Sequence, residues 1–275
     1  MDSAFDVWVN GVHAGYSKVS RLPSEFDITE LVKEGENDIT VRVYKWSDGT
    51  YLEDQDMWWM SGIFRDVELI NEPKKQYTWT VTVEGTLDDS YKNGILNVSV
   101  KTKHNVTLTW KLEKDGQIIA EGECRTEEKK ANWSENVGEI RPWTAETPEL
   151  YVLTVSAGEH EVQVRTGFRR IEIIDNNFRV NNTVILLNGV NHHDYNPKEG
   201  RCVTYEQTKA DIVLMKQHNI NAVRCSHYPA NEYLYDLCDE YGLYVIDEAD
   251  LECHGFEWTG NYKWITDDPE WEKSY

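Results

Sequence analysis

The sequence has no apolar run that approaches a membrane span, no cysteine pair at metal or redox spacing, and little positive charge. A spanning helix needs ~18–20 apolar residues, so no membrane partner is expected. Lys plus Arg number 28 against 49 Asp plus Glu, a formal charge of −21. That balance excludes nucleic acid or an anionic lipid surface as a partner held by overall charge. The five cysteines, an odd number, stand at 124, 202, 225, 238 and 253 with no CxxC among them. A zinc knuckle and a thioredoxin-type dithiol are therefore excluded. Residues 1–5 have neither the basic start nor the apolar stretch of a signal peptide. Together with unpaired thiols this leads to the expectation of a reduced, cytoplasmic setting. What is present is core material: 40% hydrophobic residues, with 11 Trp, 15 Tyr and 6 Phe, rule out general disorder.

The chain changes character twice. In residues 1–73, Phe5, Val7 and Val9 alternate, Asn10-Gly11 supplies a tight hairpin turn, and Ile39, Val41 and Val43 alternate again. Residues 71–75 read as a linker. Residues 74–167 hold short alternating runs, Ile95, Val98 and Val100 among them, punctuated by Asn93-Gly94, Asp115-Gly116 and Ala157-Gly158. That pattern predicts an immunoglobulin-like sandwich without the antibody cysteine pair. From 168 to 275 strands and helices alternate. An apolar run at 184–187 reads as a first strand bounded by Asn188-Gly189. Thr204 and Gln207 have capping-box spacing before a helix carrying Ala210, Val213, Leu214 and Gln217 on one face. Residues 221–225 form a second strand, Leu234, Leu237, Cys238 and Tyr241 a helix closed by Gly242, and residues 243–246 a third strand. Polar residues cluster at the ends of these strands, where a β/α barrel builds its active site.

Those clusters carry a resemblance. Asn188-Gly189-Val190-Asn191-His192-His193-Asp194, Arg224-Cys225-Ser226-His227-Tyr228-Pro229 and Asp247-Glu248-Ala249-Asp250-Leu251-Glu252-Cys253-His254-Gly255 closely resemble the large bacterial β-galactosidases of glycoside hydrolase family 2. Trp46-Ser47-Asp48-Gly49-Thr50-Tyr51-Leu52-Glu53-Asp54-Gln55-Asp56-Met57-Trp58 resembles that group's sugar-binding jelly roll, and Trp143-Thr144-Ala145-Glu146-Thr147-Pro148 the end of its immunoglobulin-like domain. The resemblance implies a mainly β chain: a partial jelly roll, an immunoglobulin-like sandwich, and the first three βα units of a (β/α)8 TIM barrel. The implied activity is retaining hydrolysis of terminal β-D-galactosides such as lactose. Sister families, the β-glucuronidases and β-mannosidases, share the barrel signals. A non-catalytic carbohydrate-binding or complementing fragment is the alternative from another class.

By the same resemblance His193 and His227 contact substrate, and Arg224 holds the nucleophile carboxylate, a task suited to its fork of donors. Glu252 and His254 are part of a Mg²⁺ site. Asp56 binds Na⁺ and reaches the galactose 6-hydroxyl, and Trp58 is the best candidate for stacking on a sugar face, ahead of Trp46 and Trp59. Both catalytic glutamates lie on later barrel strands in this family, and the only Asn-Glu pairs here, at 71–72 and 231–232, lack the preceding glycine. No catalytic residue is therefore carried over, and the isolated chain is expected to be inactive, with weak or absent cofactor binding. Asp268-Pro269 reads as a helix opening just before the last residues, in keeping with a truncated barrel. The intact parent is implied to be homo-oligomeric, and a fragment would self-associate or complement a second chain.

Overall fold

The computed structural model describes residues 1–71 and 78–274. The linker read at 71–75 lies, from residue 72 on, outside the described residues. The first unit is a three-stranded antiparallel sheet in the order β2-β1-β3, from β1 (Ala4–Val9), β2 (Val12–Ser17) and β3 (Ile39–Tyr44). Asn10 and Gly11 both take positive φ, 50° and 80°, the conformation a two-residue hairpin requires. Val9, Phe5 and Val7 are buried on one face of β1, as their alternation predicts. A two-residue strand, β4 (Glu53–Asp54), comes after a short 3-10 turn at Asp48–Tyr51.

The second unit is the sandwich. One sheet, in the order β5-β6-β9, is built from β5 (Thr78–Leu87), β6 (Asn93–Thr102) and β9 (Lys130–Glu139). The other, in the order β11-β10-β7-β8, comprises β7 (Thr107–Lys114), β8 (Gln117–Arg125), β10 (Tyr151–Ala157) and β11 (His160–Thr166). Leu96, Val98, Val100, Leu108, Leu112, Leu153 and Val155 fill the space between them. Leu96, and not Ile95, occupies the inward position, because it shares the two-residue alternation of Val98 and Val100 along β6, while the irregularity beside it adds its extra residue on β9.

A small antiparallel meander comes next, β12 (Ile171–Ile174), β13 (Asn177–Val180) and β14 (Thr183–Val184). Beyond it lies a three-stranded parallel sheet, in chain order: β15 (Gly189–His192), β16 (Ala222–Cys225) and β17 (Tyr244–Ile246), joined by α1 (Tyr205–Gln217) and α2 (Glu232–Tyr241). The first barrel strand is therefore not the apolar run at 184–187. Leu186 is 83% exposed, whereas Gly189 lies so close to β16 that an added Cβ would sit 3.1 Å from the Ala222 Cβ. Asn188 anchors the strand start, its amide N–H donating to Asn221 Oδ1 at 2.8 Å. A glycine that reads as punctuation is in fact what lets two parallel strands approach.

Thr204 caps α1 in a full capping box with Gln207. The buried face of α1, however, is Thr208, Ile212 and Met215, and Leu214 is exposed. The expected stripe of Ala210, Val213, Leu214 and Gln217 is turned away because α1 packs on α2 and β16 through Ile212 and Met215. In α2 the expected Leu234, Leu237 and Cys238 are the buried residues, and Gly242 closes the helix at φ 80°. The sandwich leans on this helix: Trp143, 1% exposed, donates from Nε1 to the Asp239 carbonyl at 2.8 Å. Lys216 Nζ adds bonds to the carbonyls of Ala145 and Gly242 at 2.8 and 2.9 Å. Pro269–Ser274 form one 3-10 segment, with Asp268 Oδ1 accepting from the Glu270 amide at 3.0 Å. The five cysteines are free thiols.

Candidate active site

Parallel strands deliver the chain to the same end of the sheet, so the residues just after each strand share one rim. Arg224 lies in β16, His193 comes directly after β15, and His227 and Glu248 come two residues after β16 and β17. Arg224 pairs through Nε with Glu248 Oε1. Its Nη2 lies 3.2 Å from His227 Nδ1, which is also 3.4 Å from Glu248 Oε2. His193 meets His227 edge to face at 5.5 Å between ring centroids, and its Nδ1 is 3.4 Å from the Tyr228 hydroxyl. Burial, with His227 and His192 nearby, lowers the pKa of His193, which favours the neutral imidazole. Arg224 thus engages Glu248, a residue that sequence reasoning did not single out. The available signal was its place at a strand end, beside Asp247.

The first unit closes over this rim. A strand pair unites them: β18 (Glu252–Cys253) runs parallel to β4, with Glu252 opposite Glu53 and Cys253 opposite Asp54. Asp54 Oδ2 accepts from the Gly255 amide at 2.6 Å. Gln55, fully buried, donates to Asp250 Oδ1 at 2.9 Å and reaches the His227 carbonyl at 3.5 Å. These contacts bring the 46–58 segment to the barrel strands. Trp58 is 66% exposed but stacks on Tyr195 at 4.7 Å and 23°, so one face of its ring is covered by protein. Trp46 and Trp59 meet edge to face at 5.7 Å beside a cleft shared with Met57, Met60 and Arg201.

The expected metal ligands are adjacent. His254 Nδ1 lies 2.5 Å from Glu252 Oε1, and Glu252, first, and also Glu257 and Asp56 raise the basicity of His254. Asp56 is exposed near this pair. Among the described residues no group of three or more His, Cys, Asp or Glu side chains is placed to hold a metal ion. One carboxylate and one imidazole do not make up the near-octahedral oxygen-rich set Mg²⁺ demands. The donors here do not fit a magnesium site by themselves.

Where the two units meet, Glu53 accepts from the backbone N–H and hydroxyl of Ser20. Burial, then the nearby Asp250 carboxylate, push its pKa up to about 7. The folded state thus holds a proton that the unfolded chain releases near 4.5. Its contribution to stability is full below that pH and is lost as pH rises through 7. We expect the stability of the wild type relative to Glu53→Gln to fall by roughly 1–3 kcal/mol between pH 5 and pH 8, after allowance for partial solvent screening. Urea titrations of both proteins at the two pH values measure it, and an unchanged difference would count against the protonated Glu53.

The family models match along the chain in order. The sugar binding domain of Glycosyl hydrolases family 2 matches residues 1–73, the central family 2 domain residues 76–169, and the family 2 TIM barrel domain residues 171–275. The chain belongs to glycoside hydrolase family 2. Among curated relatives of this family 2 chain, a β-galactosidase of Alteromonas mediterranea is 42% identical over 296 residues, and one of Vibrio vulnificus strain CMCP6 is 40% identical over 295. Each alignment covers 100% of this chain and 28% of the relative, so the family 2 chain spans little more than a quarter of their length. Among solved structures, apo β-glucuronidase 3 of Bacteroides uniformis superposes with a TM-score of 0.82 at 20% identity, covering 90% of this chain and 34% of that one. At that identity the likeness shows the fold. No helix among the described residues is long and apolar enough to cross a membrane.

Proposed function

We propose that this chain supplies the galactose-facing rim of a retaining β-galactosidase that hydrolyses terminal β-D-galactosides such as lactose. The observation that carries the reading is the strand-end group His193, Arg224, His227 and Glu248, with the segment bearing Asp56 and Trp58 drawn towards it by the β4–β18 pair. The histidines offer N–H donors to sugar hydroxyls. Such donors speed the reaction to the extent that they bind the transition state more strongly than the ground state. Arg224 holds a carboxylate, Glu248 through its Nε here and the nucleophile when the remaining barrel is present. The rim favours a neutral sugar. Asp56, Glu252 and Glu257 lie around His254, Asp54 lies beside Cys253, and Arg224 is already engaged by Glu248, so a uronate carboxylate would meet like charge.

The test is a nitrophenyl glycoside panel assayed on the complete reading frame that carries this chain. Galactoside turnover well above that of glucuronide and mannoside, lost on His193→Ala, is expected. Preferential glucuronide turnover would overturn the galactoside assignment.

Glu252 and His254 are proposed to contribute to Mg²⁺ binding, and Asp56 to Na⁺ binding, only alongside donors from the rest of the parent barrel. We therefore expect the 275-residue chain to bind Mg²⁺ no better than roughly millimolar, the value expected of so sparse a donor set. Calorimetric titration with and without Glu252→Gln checks this. Micromolar binding indifferent to Glu252→Gln would show that the ligands lie elsewhere. The family setting favours a cytoplasmic enzyme that forms homo-oligomers, a proposal open to a sizing measurement on the parent.

A further inference from the structure

A buried guanidinium normally finds a carboxylate or several carbonyls, because leaving its N–H groups unpaired is costly. Arg21 is 3% exposed, yet its Nη1 has no hydrogen-bond partner among the described residues and stands 3.8 Å from Asp2 Oδ2. Beside that ion pair, aromatic rings hold it. Its guanidinium carbon lies 4.5 Å from the centroid of the Tyr228 ring and 5.0 Å from that of Phe64. Its own carbonyl accepts from Arg65 Nη1 at 2.5 Å, and its amide donates to Asp250 Oδ2 at 3.2 Å, so the backbone of Arg21 is pinned between the two units. Cation–π contacts gain strength where water is excluded, as it is here.

Tyr228 connects this cation to the rim. It is buried, and its hydroxyl lies 3.4 Å from His193 Nδ1. A tyrosine hydroxyl carries one proton to donate, and a neutral imidazole nitrogen can accept it. His193 Nδ1 is the acceptor within reach, which leaves the imidazole proton on Nε2.

We propose that Arg21 is a positioning residue for sugar binding: by gripping the face of Tyr228 it holds the hydroxyl that fixes His193 as the Nε2–H tautomer, aiming an N–H donor at the substrate. The proposal rests on the galactoside reading for the identity of the sugar and on nothing else in it. No bond is broken. Tyr228 keeps its proton and shares it with Nδ1, and His193 keeps its proton on Nε2. The tautomer matters because a neutral imidazole donates from only one nitrogen. It also assigns the first unit a role in the site, since Arg21 comes from the loop after β2 and reaches a histidine of the barrel.

The experiment is a long-range ¹H–¹⁵N spectrum of the uniformly labelled 275-residue chain at pH 7.5, with His193 assigned by loss of its signals in His193→Gln. A pyrrole-like Nε2 and a pyridine-like Nδ1 are expected in the wild type. In Tyr228→Phe, which keeps the ring on Arg21, the two nitrogen shifts should converge as the tautomers mix, and Arg21→Met should do the same. Arg21→Lys, which keeps a cation over the ring, should restore the wild-type pattern in good part. A proton on Nδ1 in the wild type overturns the proposal, and that reading needs no variant to fold. So does an unchanged His193 pattern in Tyr228→Phe. Galactose titrated into the same samples separates the two levels. A threefold to tenfold weaker affinity in Tyr228→Phe, about what one net hydrogen bond contributes, supports the positioning role. Absence of any galactose effect on His193, with the tautomer pattern as described, overturns the galactoside reading and leaves the relay standing.

Discussion

The purified 275-residue chain should leave nitrophenyl β-D-galactoside intact, with turnover about 10⁴-fold or more below that of an ordinary retaining glycosidase. Retention requires two carboxyl groups ~5–5.5 Å apart across the anomeric carbon, one nucleophile and one acid/base. The rim carboxylates of this chain are otherwise engaged. Glu248 is tied to Arg224 and His227, Asp247 accepts from the Tyr235 hydroxyl at 2.7 Å, and Glu252 is bound to His254. Donors such as His193 can orient a sugar, but unless a carboxylate is free to attack the anomeric carbon they do not by themselves open a route to hydrolysis. A colorimetric assay with enzyme at micromolar concentration decides the matter. Turnover near ordinary glycosidase rates, abolished by Glu248→Gln, would instead place the nucleophile on Glu248.

The largest stability effect is expected at Trp143. Trp143→Ala should destabilise the chain by about 3–5 kcal/mol, the usual range for emptying a buried tryptophan site. Trp143 packs edge to face on Tyr244 of β17 at 5.6 Å, with Ala145, Val180 and Ala222 in the same cluster. It belongs to the segment leading into β10, yet its Nε1 bond ends on α2 and its amide donates to the Phe168 carbonyl at 2.8 Å. The substitution would therefore loosen sandwich, meander and parallel sheet together. Trp143→Phe should recover most of the packing and lose only the bond to the Asp239 carbonyl, at about 1 kcal/mol. Chemical denaturation of the three proteins measures both. Equal midpoints for wild type and Trp143→Ala would mean that the cluster does not join the units.

Local chemistry is legible in the sequence wherever a residue type acts through its own backbone. The Asn10-Gly11 hairpin, the Thr204–Gln207 cap and the Gly242 stop depend on φ and on hydrogen bonds a few residues away, and all three are as the sequence predicts. Gly189 and the face of α1 depart from expectation because their meaning is tertiary. Gly189 is small to admit Ala222, and Ile212 turns inward because α2 and β16 lie there. The same divide runs through the rim. His193, Arg224 and His227 stand in motifs contiguous in sequence, so they could be named. Glu248 and Arg21 act through partners 24 and 207 residues away, and neither periodicity nor spacing links them.

That the strand-end histidines form one face of a galactose site is the central claim. The most direct measurement is titration of galactose and of glucuronate, separately, into the ¹⁵N-labelled chain, with the imidazole signals of His193 and His227 as the readout. Saturable galactose shifts are expected at both histidines at roughly millimolar concentration, as a handful of net hydrogen bonds provides, with weaker effects of glucuronate. Tighter binding of glucuronate at these histidines, or galactose binding that leaves both unmoved, would contradict it.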